Sequence, residues 1–326
     1  MTRAWTLAAR PQGTPTSRDF ALIDLPAVDL SEGEVRVTNR WLSVDPYMRG
    51  RMNDVKSYVP PFRLGAPMEG GAIGEVVESR DPALVPGDWV QHMLGWRDEA
   101  TGPATAFTKL PAMDVPAQAF LGQLGMPGMT AYWGLLAVAE AKAGDTVFVS
   151  AAAGAVGSTV VQLAKARGMT VIGSAGGAAK AAWVRSLGAD AVVDYKAEPV
   201  VKALEQAAPD GIDVYFDNVG GDHLDAALAH ARPRARFAIC GMIDVYNDAK
   251  PTALKYLARL IGNRVQMRGF IVSDYMARAD EFYRDMAAMA DTLRQEETVH
   301  DGLEAMPNAF LGLFTGGNTG KMLVRL

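Results

Sequence analysis

Small residues lie between a short apolar run and a helix-like segment, and this stretch offers the clearest chemistry in the sequence. Residues 152–157 read AAGAVG, the spacing of the dinucleotide fingerprint G-x-G-x-x-G with Ala152 at the first glycine position. The second glycine of that fingerprint lets the backbone approach a pyrophosphate, and the third lets the helix pack closely. The helix N-terminus presents N–H groups to the anion. Gly154 and Gly157 therefore predict a nucleotide site.

The residues after the next expected strand favour NADP(H) over NAD(H). An NAD-preferring protein carries an Asp or Glu about 20 residues beyond the fingerprint to bind the ribose hydroxyls. Here residues 174–177 read SAGG, and Lys180 follows. A missing carboxylate and a nearby cation are what a 2′-phosphate requires. Without this context, the turn could equally be a plain strand-to-helix connection. Lys180 taken alone is better explained as a solvated lysine in the first turn of a helix.

Strands alternate with helices around this turn, which predicts a doubly wound parallel sheet of the α/β class. The expected strands cover residues 146–150, 170–173, 191–195, 212–219, 235–239 and 264–272. Helices are expected over residues 129–139, from the fingerprint to Gly168, and over residues 277–297. Ligands bind beyond the carboxyl ends of such strands, so segments 218–221 and 240–243 are expected at the reactive end of the cofactor. Gly220 and Gly221 could instead form a simple helix-entry turn.

The first 122 residues are rich in β-prone runs and turns, which predicts a separate β-rich, partly closed domain. Its clearest strands are expected over residues 34–44, 71–77 and 87–93. We expect residues 1–123 to form this domain. Residues 298–326, with a final strand at 322–325, are expected to complete it, and residues 124–297 to form the nucleotide-binding domain.

One patch of the β-rich domain combines two arginines, two methionines and a tyrosine. Residues 45–52 read DPYMRGRM. Pro46 and Gly50 predict an irregular loop, and loops disproportionately carry binding and catalytic residues. Taken alone, the patch is better explained by an ordinary surface loop with a packed Tyr47.

Composition argues against several other classes of protein. The chain has 326 residues, of which 49% are hydrophobic and 21% charged, with a formal net charge of −5. These values are typical of a globular protein with two domains. No apolar run is long enough to span a membrane, and no signal-peptide core follows the N-terminus, so we expect a cytoplasmic protein without a membrane partner. Without a long basic run, nucleic acid is not an expected partner.

Cysteine and histidine usage predicts a site without metal. Cys240 is the one cysteine in the sequence, so neither an intramolecular disulfide nor a cysteine-based zinc lobe can form within the chain. The spacing of the four histidines does not suggest a catalytic zinc site; they are His92, His223, His230 and His300.

Several motifs together resemble one family, the zinc-independent medium-chain dehydrogenase/reductases. They are AAAGAVG at residues 151–157, GADAVVDY at 188–195, YFDNVGG at 215–221, Cys240-Gly241 followed by Tyr246-Asn247, and GGNTGK at 316–321. The segments MPGMTAY at 126–132 and DPYMRG at 45–50 narrow the resemblance to one branch. That branch contains prostaglandin reductases, plant 2-alkenal reductases and bacterial curcumin reductases. The resemblance covers essentially the whole chain.

The resemblance implies a Rossmann domain beside a GroES-like substrate domain. It implies NADPH-dependent reduction of the carbon–carbon double bond of a small α,β-unsaturated aldehyde or ketone. It also implies a homodimer in which the sixth strand pairs edge to edge with its copy, which agrees with the general need to cover an exposed sheet edge.

Site residues follow from the resemblance by motif position. Tyr246 is implied to hydrogen-bond the substrate carbonyl, and Tyr47 to lie in the substrate loop. Lys180 and Tyr195 are implied at the adenosine 2′-phosphate, and Asn218 at the ribose or nicotinamide. The other implied cofactor contacts are Met126, Thr130, Ala152, Ala153, Gly154, Ala155, Val156, Gly157, Cys240, Gly241, Met242, Ile243, Tyr246, Phe270, Ile271, Val272 and Asn318.

Several alternatives stay open at this point. The proton for the substrate α-carbon could come from Tyr246, Tyr47 or water, and Tyr246 could be a packed loop tyrosine. A quinone oxidoreductase shares the fold and the turn, and an NADPH-binding protein without turnover is the non-enzymatic alternative. Asp244 and Val245 replace the small polar residues usual in relatives, which leaves the substrate contacts open.

Overall fold

The chain folds into two compact units. The computed structural model describes residues 1–247, 252–289 and 291–326. One unit, called the β-rich unit here, comprises Met1–Leu121, Glu297–Asn318 and Met322–Leu326. The other, called the α/β unit, comprises Gly122–Glu296 and Thr319–Lys321.

Short strands dominate the first 121 residues. The strands are β1 (Thr2–Leu7), β2 (Phe20–Leu25), β3 (Glu34–Ser43), β4 (Ala72–Ser79), β5 (Trp89–His92), β6 (Glu99–Pro103) and β7 (Phe107–Lys109), with one short helix, α1 (Met48–Arg51). Three 3-10 turns accompany them, at Ser17–Asp19, Ala104–Ala106 and Ala117–Leu121.

The expectation of an irregular loop at residues 45–52 is wrong, because this segment contains α1. Pro46 lies just before the helix, where its fixed φ suits a first turn. The Met48 N–H donates to the Asp45 carbonyl at 3.1 Å. Met48 and Met52 are fully buried, so the segment belongs to the core of the β-rich unit rather than to its surface.

Strands and helices alternate in the α/β unit. The strands are β8 (Thr146–Val149), β9 (Thr170–Ala175), β10 (Ala191–Asp194), β11 (Ile212–Asp217), β12 (Ala231–Ile239) and β13 (Gln266–Gly269). The helices are α2 (Met126–Trp133), α3 (Ala155–Ala166), α4 (Ala178–Ser186), α5 (Val200–Ala207), α6 (Gly221–Ala229), α7 (Arg259–Asn263) and α8 (Ala279–Ala287). A π-helical turn follows α2 at Gly134–Val138, and 3-10 turns lie at Ile243–Val245 and Val272–Arg278.

The six strands of this unit form one sheet in the order β10-β9-β8-β11-β12-β13. Every neighbouring pair is parallel, which confirms the predicted doubly wound sheet. The order reverses between β8 and β11, and ligands of such sheets bind at that switch point, beyond the carboxyl ends of the strands. One face packs a core around Phe148, Tyr215 and Phe237.

Two helices of the α/β unit differ from their predicted extents. The helix expected over 129–139 begins at Met126 and becomes π-helical at Gly134. A Cβ on Gly134 would lie 2.5 Å from Phe270 Cζ, so the glycine allows a close approach there. The helix expected over 277–297 ends at Ala287, because no described residue from 287 to 296 is buried and a helix without an apolar face gains little from packing. Ala290 lies outside the described residues.

The last segment of the chain supplies β14 (Glu297–Asp301), α9 (Met306–Gly312) and β15 (Lys321–Arg325), with 3-10 turns at Leu303–Ala305 and Leu313–Thr315. β15 pairs antiparallel with β3 in a sheet ordered β14-β15-β3-β4-β5-β7, and β6 also pairs with β3. β1 and β2 form a separate two-stranded sheet. Trp96 stacks on Phe20 with ring centroids 5.7 Å apart, and Phe310 of α9 packs edge-on against both rings.

Candidate active site

The turn after β8 has the close packing that the fingerprint requires. Ala151 opens it with a φ of +48°. A Cβ on Gly157 would lie 2.3 Å from the Ala151 carbonyl oxygen and 2.8 Å from Ala152 Cα. No side chain fits in that space, so Gly157 allows α3 to pack against its own turn.

Gly154 is surrounded by far more space. A Cβ on it would meet one atom within 4 Å, the Ala151 carbonyl oxygen at 3.3 Å, and its φ of −84° suits any residue. The protein's own packing therefore does not demand a glycine here. α3 begins at this point with no side-chain cap and no acidic residue in its first turn, so its N–H groups and dipole favour an anion. The turn fits the pyrophosphate of a dinucleotide.

Alanine at the first fingerprint position is accommodated by the neighbouring strand. The Ala152 N–H donates to the Ser174 carbonyl at 2.8 Å. A Cβ on Gly173 would lie 2.9 Å from the Ala152 methyl carbon. The glycine in β9 thus provides the space that the extra methyl group needs.

A short segment near the end of the chain supports the same turn. The Gly320 N–H donates to the Ala153 carbonyl at 2.7 Å, and Gly320 forms an isolated parallel bridge with Gly154. Gly320 has a φ of +67°, and a Cβ there would lie 1.8 Å from the Glu296 carbonyl oxygen. Sequence motifs do not predict this backbone contact, because it joins residues far apart in sequence.

The carboxyl ends of β9 and β10 come together at the start of α4. Asp194 Oδ1 accepts the N–H groups of Gly177 at 2.9 Å and Lys196 at 3.0 Å, and these bonds lower the pKa of the Asp194 carboxyl. Lys180 lies in the first turn of α4, half-buried. Burial, and secondarily Lys196, lowers the pKa of its ammonium.

A histidine lies behind these residues. His223 Nε2 and Ser174 Oγ are 2.9 Å apart, and the ring packs edge-on against Tyr195 at 5.4 Å between centroids. Burial lowers the pKa of His223 to about 4. The imidazole is therefore neutral at physiological pH and serves packing and hydrogen bonding.

One carboxyl group holds the turn after β11. Asp217 Oδ1 accepts the Tyr215 hydroxyl at 2.7 Å and the N–H groups of Val219 at 2.9 Å and Gly220 at 2.8 Å. Its Oδ2 is buried without a hydrogen-bond partner in the described part of the chain, and burial raises the pKa of the carboxyl. The Asp217 carbonyl also accepts the N–H groups of Cys240 and Gly241, at 2.9 and 3.0 Å.

Asn218 joins the two strands at the switch point. Its N–H donates to Ser150 Oγ and its Nδ2 to the Ser150 carbonyl, both at 2.8 Å. Sequence reasoning selected Asn218 but missed Asp217 and Ser150. The available signal was position, because each follows or ends a buried parallel strand.

The two glycines after Asn218 are explained by the chain itself. Gly220 and Gly221 have φ values of +76° and +49°. A Cβ on Gly220 would lie 3.1 Å from Met242 Cγ, and one on Gly221 would lie 2.3 Å from Asp244 Oδ2. The helix-entry interpretation therefore suffices, and Asp244 fills the space beside Gly221.

Tyr246 folds back over the segment that follows β12. The Met242 N–H donates to its hydroxyl oxygen at 3.4 Å. A Cβ on Gly241 would lie 3.1 Å from that oxygen and 3.7 Å from the Asn218 carbonyl oxygen. The hydroxyl thus lies at the carboxyl edge of the sheet, close to the switch point.

Other predicted residues of the α/β unit lie on the segments that end its strands and begin α2. Phe270 follows β13 and packs edge-on against Phe216, with ring centroids 6.3 Å apart; Ile271 and Val272 come directly after it. The Thr130 hydroxyl donates to the Met126 carbonyl at 2.7 Å. The thiol of Cys240 is enclosed although the residue is partly exposed, and burial raises its pKa to about 12, so it stays a thiol.

Tyr47 and Asn318 belong to the β-rich unit. The Tyr47 hydroxyl is buried and has no hydrogen-bond partner among the described residues. Burial, reinforced by Asp45, raises its pKa well above 10. Nearby, Arg51 donates to the Pro60 carbonyl at 2.9 Å and pairs with Glu69 at 2.7 Å, which fixes the end of α1.

Two features are absent from residues 1–247, 252–289 and 291–326. No three His, Cys, Asp or Glu side chains lie together as a metal site would need. No helix combines the length and apolar character needed to cross a bilayer.

Known proteins resemble the chain over its whole length. Residues 3–110 match the family of N-terminal domains of oxidoreductases, and residues 155–291 match the zinc-binding dehydrogenase family. The NADPH-dependent curcumin reductase of Escherichia coli is 40% identical over 99% of this chain and 96% of its own. The NADP(+)-dependent 2-alkenal reductase of Nicotiana tabacum is 43% identical, over 89% and 87%. The structure of CurA from Vibrio vulnificus in complex with NADPH superposes with a TM-score of 0.94 at 39% identity, over 99% and 98%.

These similarities define a medium-chain oxidoreductase built from a Rossmann sheet and a β-rich unit. The chain belongs to the zinc-independent medium-chain dehydrogenase/reductase family, in the branch that the sequence motifs indicated.

Proposed function

We propose that this chain uses NADPH to reduce the carbon–carbon double bond of α,β-unsaturated aldehydes and ketones. The support is twofold: relatives at about 40% identity are named NADPH-dependent curcumin reductase and 2-alkenal reductase, and a phenol lies at the carboxyl edge of the sheet. The observation that carries the proposal is the place of Tyr246, whose hydroxyl lies beside Gly241 at the carboxyl edge of the sheet.

The residues of the α/β unit fit NADP(H). The space beside Gly154 and the N-terminus of α3 suit the pyrophosphate, and the half-buried Lys180 suits the 2′-phosphate. Asn218 lies at the switch point, where the reactive half of a dinucleotide binds in this fold. We propose that these residues hold the cofactor.

Tyr246 is proposed to stabilise the charge that develops during reduction. When bound, NADPH supplies a hydride from nicotinamide C4 to the substrate β-carbon. Negative charge then develops on the substrate carbonyl oxygen as an enolate. A fixed donor aimed at such charge lowers the barrier by about 3 kcal/mol. The Met242 N–H, bonded to the Tyr246 oxygen at 3.4 Å, orients the phenol for this role.

Tyr47 is proposed to contact the substrate as a hydrogen-bond donor. Its raised pKa keeps the hydroxyl protonated over the whole working pH range and makes it a weak acid. The α-carbon proton is proposed to come from Tyr246, Tyr47 or water. Full turnover in Tyr246→Phe together with loss of turnover in Tyr47→Phe would reverse these roles.

A panel of acceptors tests the proposed reaction. NADPH oxidation is followed with a linear 2-alkenal, a bulky aryl enone and a simple quinone, and product masses are recorded. A saturated aldehyde or ketone that has gained two hydrogens is the expected product. Consumption with the quinone alone would indicate a quinone oxidoreductase, and NADPH binding without consumption would indicate a binding protein.

The edge of the α/β sheet supports the proposed homodimer. β13 is the last strand of the sheet, and Gln266, Arg268 and Gly269 on it are exposed. An exposed edge strand offers unpaired N–H and C=O groups for pairing with another chain. We propose that β13 pairs with its copy, and sedimentation that finds only monomer at micromolar concentration would contradict this.

A further inference from the structure

Two neighbouring turns of the α/β unit are tied together at the start of α4. Asp194 Oδ1 accepts one N–H from each turn, Gly177 at 2.9 Å and Lys196 at 3.0 Å. The segment after β10 is therefore held in fixed register against the N-terminus of α4. Tyr195 and Lys196 lie on that segment, directly beside the turn 176–177.

Gly176 shows how closely the two turns approach. A Cβ on Gly176 would lie 2.7 Å from both Cζ and the hydroxyl oxygen of Tyr195, and 3.0 Å from Lys196 Cε. The carbon that carries the Lys196 ammonium thus lies over the same turn as the Tyr195 phenol. Burial lowers the pKa of the Lys180 ammonium, and Lys196 adds to this effect, so the two cations are close enough to interact.

Positive charge exceeds negative charge at this turn, because the two ammonium groups and the N-terminus of α4 share one carboxylate, Asp194. α4 begins at Gly177 with no side-chain cap and no acidic residue in its first turn. The N-terminal end of a helix carries partial positive charge and favours anions over cations. Two ammonium groups and a helix N-terminus on one turn are stabilised together by a bound anion, and a phosphate monoester carries about two negative charges at neutral pH.

We propose that Lys196 supplies a second cation to the 2′-phosphate of NADP(H), beside Lys180, and is a determinant of NADP(H) preference. The contacts of Lys196 Cε and the Tyr195 hydroxyl with the Gly176 turn carry this inference, which rests on the cofactor assigned under the proposed function. Sequence motifs pointed to Lys180 and Tyr195 and passed over Lys196.

Ligand affinity tests this role without turnover. Calorimetric titrations of NADPH, NADH, 2′,5′-ADP and 5′-ADP compare the native protein with Lys196→Met, which keeps the apolar stem. We expect Lys196→Met to weaken the binding of NADPH and 2′,5′-ADP about fivefold to tenfold, or by about 1 to 1.4 kcal/mol. The affinities for NADH and 5′-ADP should stay within about twofold of those of the native protein. Lys196→Arg should restore most of the affinity, and Lys202→Met, at an exposed position of α5, is the matched control.

The outcomes separate this inference from the proposed function. Equal affinity of the native protein for NADPH and NADH would contradict the NADP(H) preference in the proposed function. A native preference that Lys196→Met leaves unchanged would overturn the role of Lys196 alone. If Lys196→Met weakened NADPH binding and NADH binding equally, the role of Lys196 at the 2′-phosphate would also be contradicted, because the lysine would then act on a group that both cofactors share.

Discussion

The turn after β8 and the turn after β11 each carry two glycines, but the chain uses their empty side-chain positions differently. Beside Gly154 the protein leaves space. Beside Gly220 and Gly221, Met242 and Asp244 fill it. The first turn is therefore shaped to admit a ligand, whereas the second is shaped to seat the segment that carries Tyr246.

This difference assigns cofactor binding to the turn after β8 and the chemical step to the turn after β11, both within the α/β unit. Changes at the first turn should alter cofactor affinity, and changes around the second should alter the rate of the chemical step. Gly157 belongs to the first turn but is required by the packing of α3, so substitution of Gly157 should lower stability instead of cofactor affinity.

The largest expected effect is at Tyr246. Tyr246→Phe removes the donor to the enolate oxygen and should lower kcat about 100-fold while NADPH affinity stays within twofold. Turnover with a 2-alkenal and a separate NADPH titration measure the two quantities. Tyr283→Phe, on α8, is the matched control and should leave both unchanged. A loss of NADPH affinity equal to the loss of rate would contradict the separation of roles.

Gly157→Ala should affect folding more than function. Its Cβ would lie 2.3 Å from a backbone oxygen, and forcing extra atoms into a packed region costs about 2 to 3 kcal/mol. Urea denaturation of the protein without cofactor measures this loss. Unchanged stability would show that α3 can move away from its turn.

Gly154→Ala is the opposite case in the same turn. The added methyl group meets one protein atom, at 3.3 Å, and Gly154 is the N-cap of α3, so stability should fall by about 0.5 to 1 kcal/mol, less than at Gly157. NADPH should bind about tenfold more weakly, because the methyl group lies where the pyrophosphate approaches the backbone. Loss of stability without loss of affinity would mean that the open space serves packing and not a ligand.

The smallest expected effect concerns pH and His223, which links α6 to the end of β9. Its pKa falls from 6.5 to about 4 on folding, so between these values the unfolded state binds more protons than the folded state. Stability should therefore fall as pH drops from 6.5 towards 4, by about 1 kcal/mol between pH 6.5 and pH 5.5. Urea midpoints across this range should depend less on pH in His223→Gln. Equal pH dependence in both proteins would assign the effect to other groups, including His92.

Periodicity and turn residues were enough to predict the α/β unit. The strand around Val171 and the turn at Gly157 are local features, because a parallel strand is a short apolar run and a fingerprint turn has a fixed spacing. The end of α8 could not be predicted, because it depends on where burial stops after Met286. The helix at Met48 depends on the core around it, and Pro46 and Gly50 alone predict a loop there.

The site could be predicted only in part, because some of its residues depend on contacts between segments that are distant in sequence. Gly154 and Lys180 stand in known spacings, and their proposed roles follow from them. The importance of Asp217 and Lys196 depends on three-dimensional contacts that spacing does not reveal. Asp217 Oδ1 accepts hydrogen bonds from Tyr215, Val219 and Gly220, and Lys196 Cε approaches Gly176 in the neighbouring turn. The available signal for both was a charged residue at, or within two residues after, the carboxyl end of a parallel strand.

The position of the transferred hydride tests the central claim most directly. NADPH deuterated at the reactive face of nicotinamide C4 is incubated with the protein and an α,β-unsaturated ketone, and the product is examined by NMR. Double-bond reduction predicts deuterium at the β-carbon of a saturated ketone whose carbonyl is intact. Deuterium on the carbonyl carbon of an allylic alcohol would show that the protein reduces the carbonyl instead, and would contradict the role given to Tyr246.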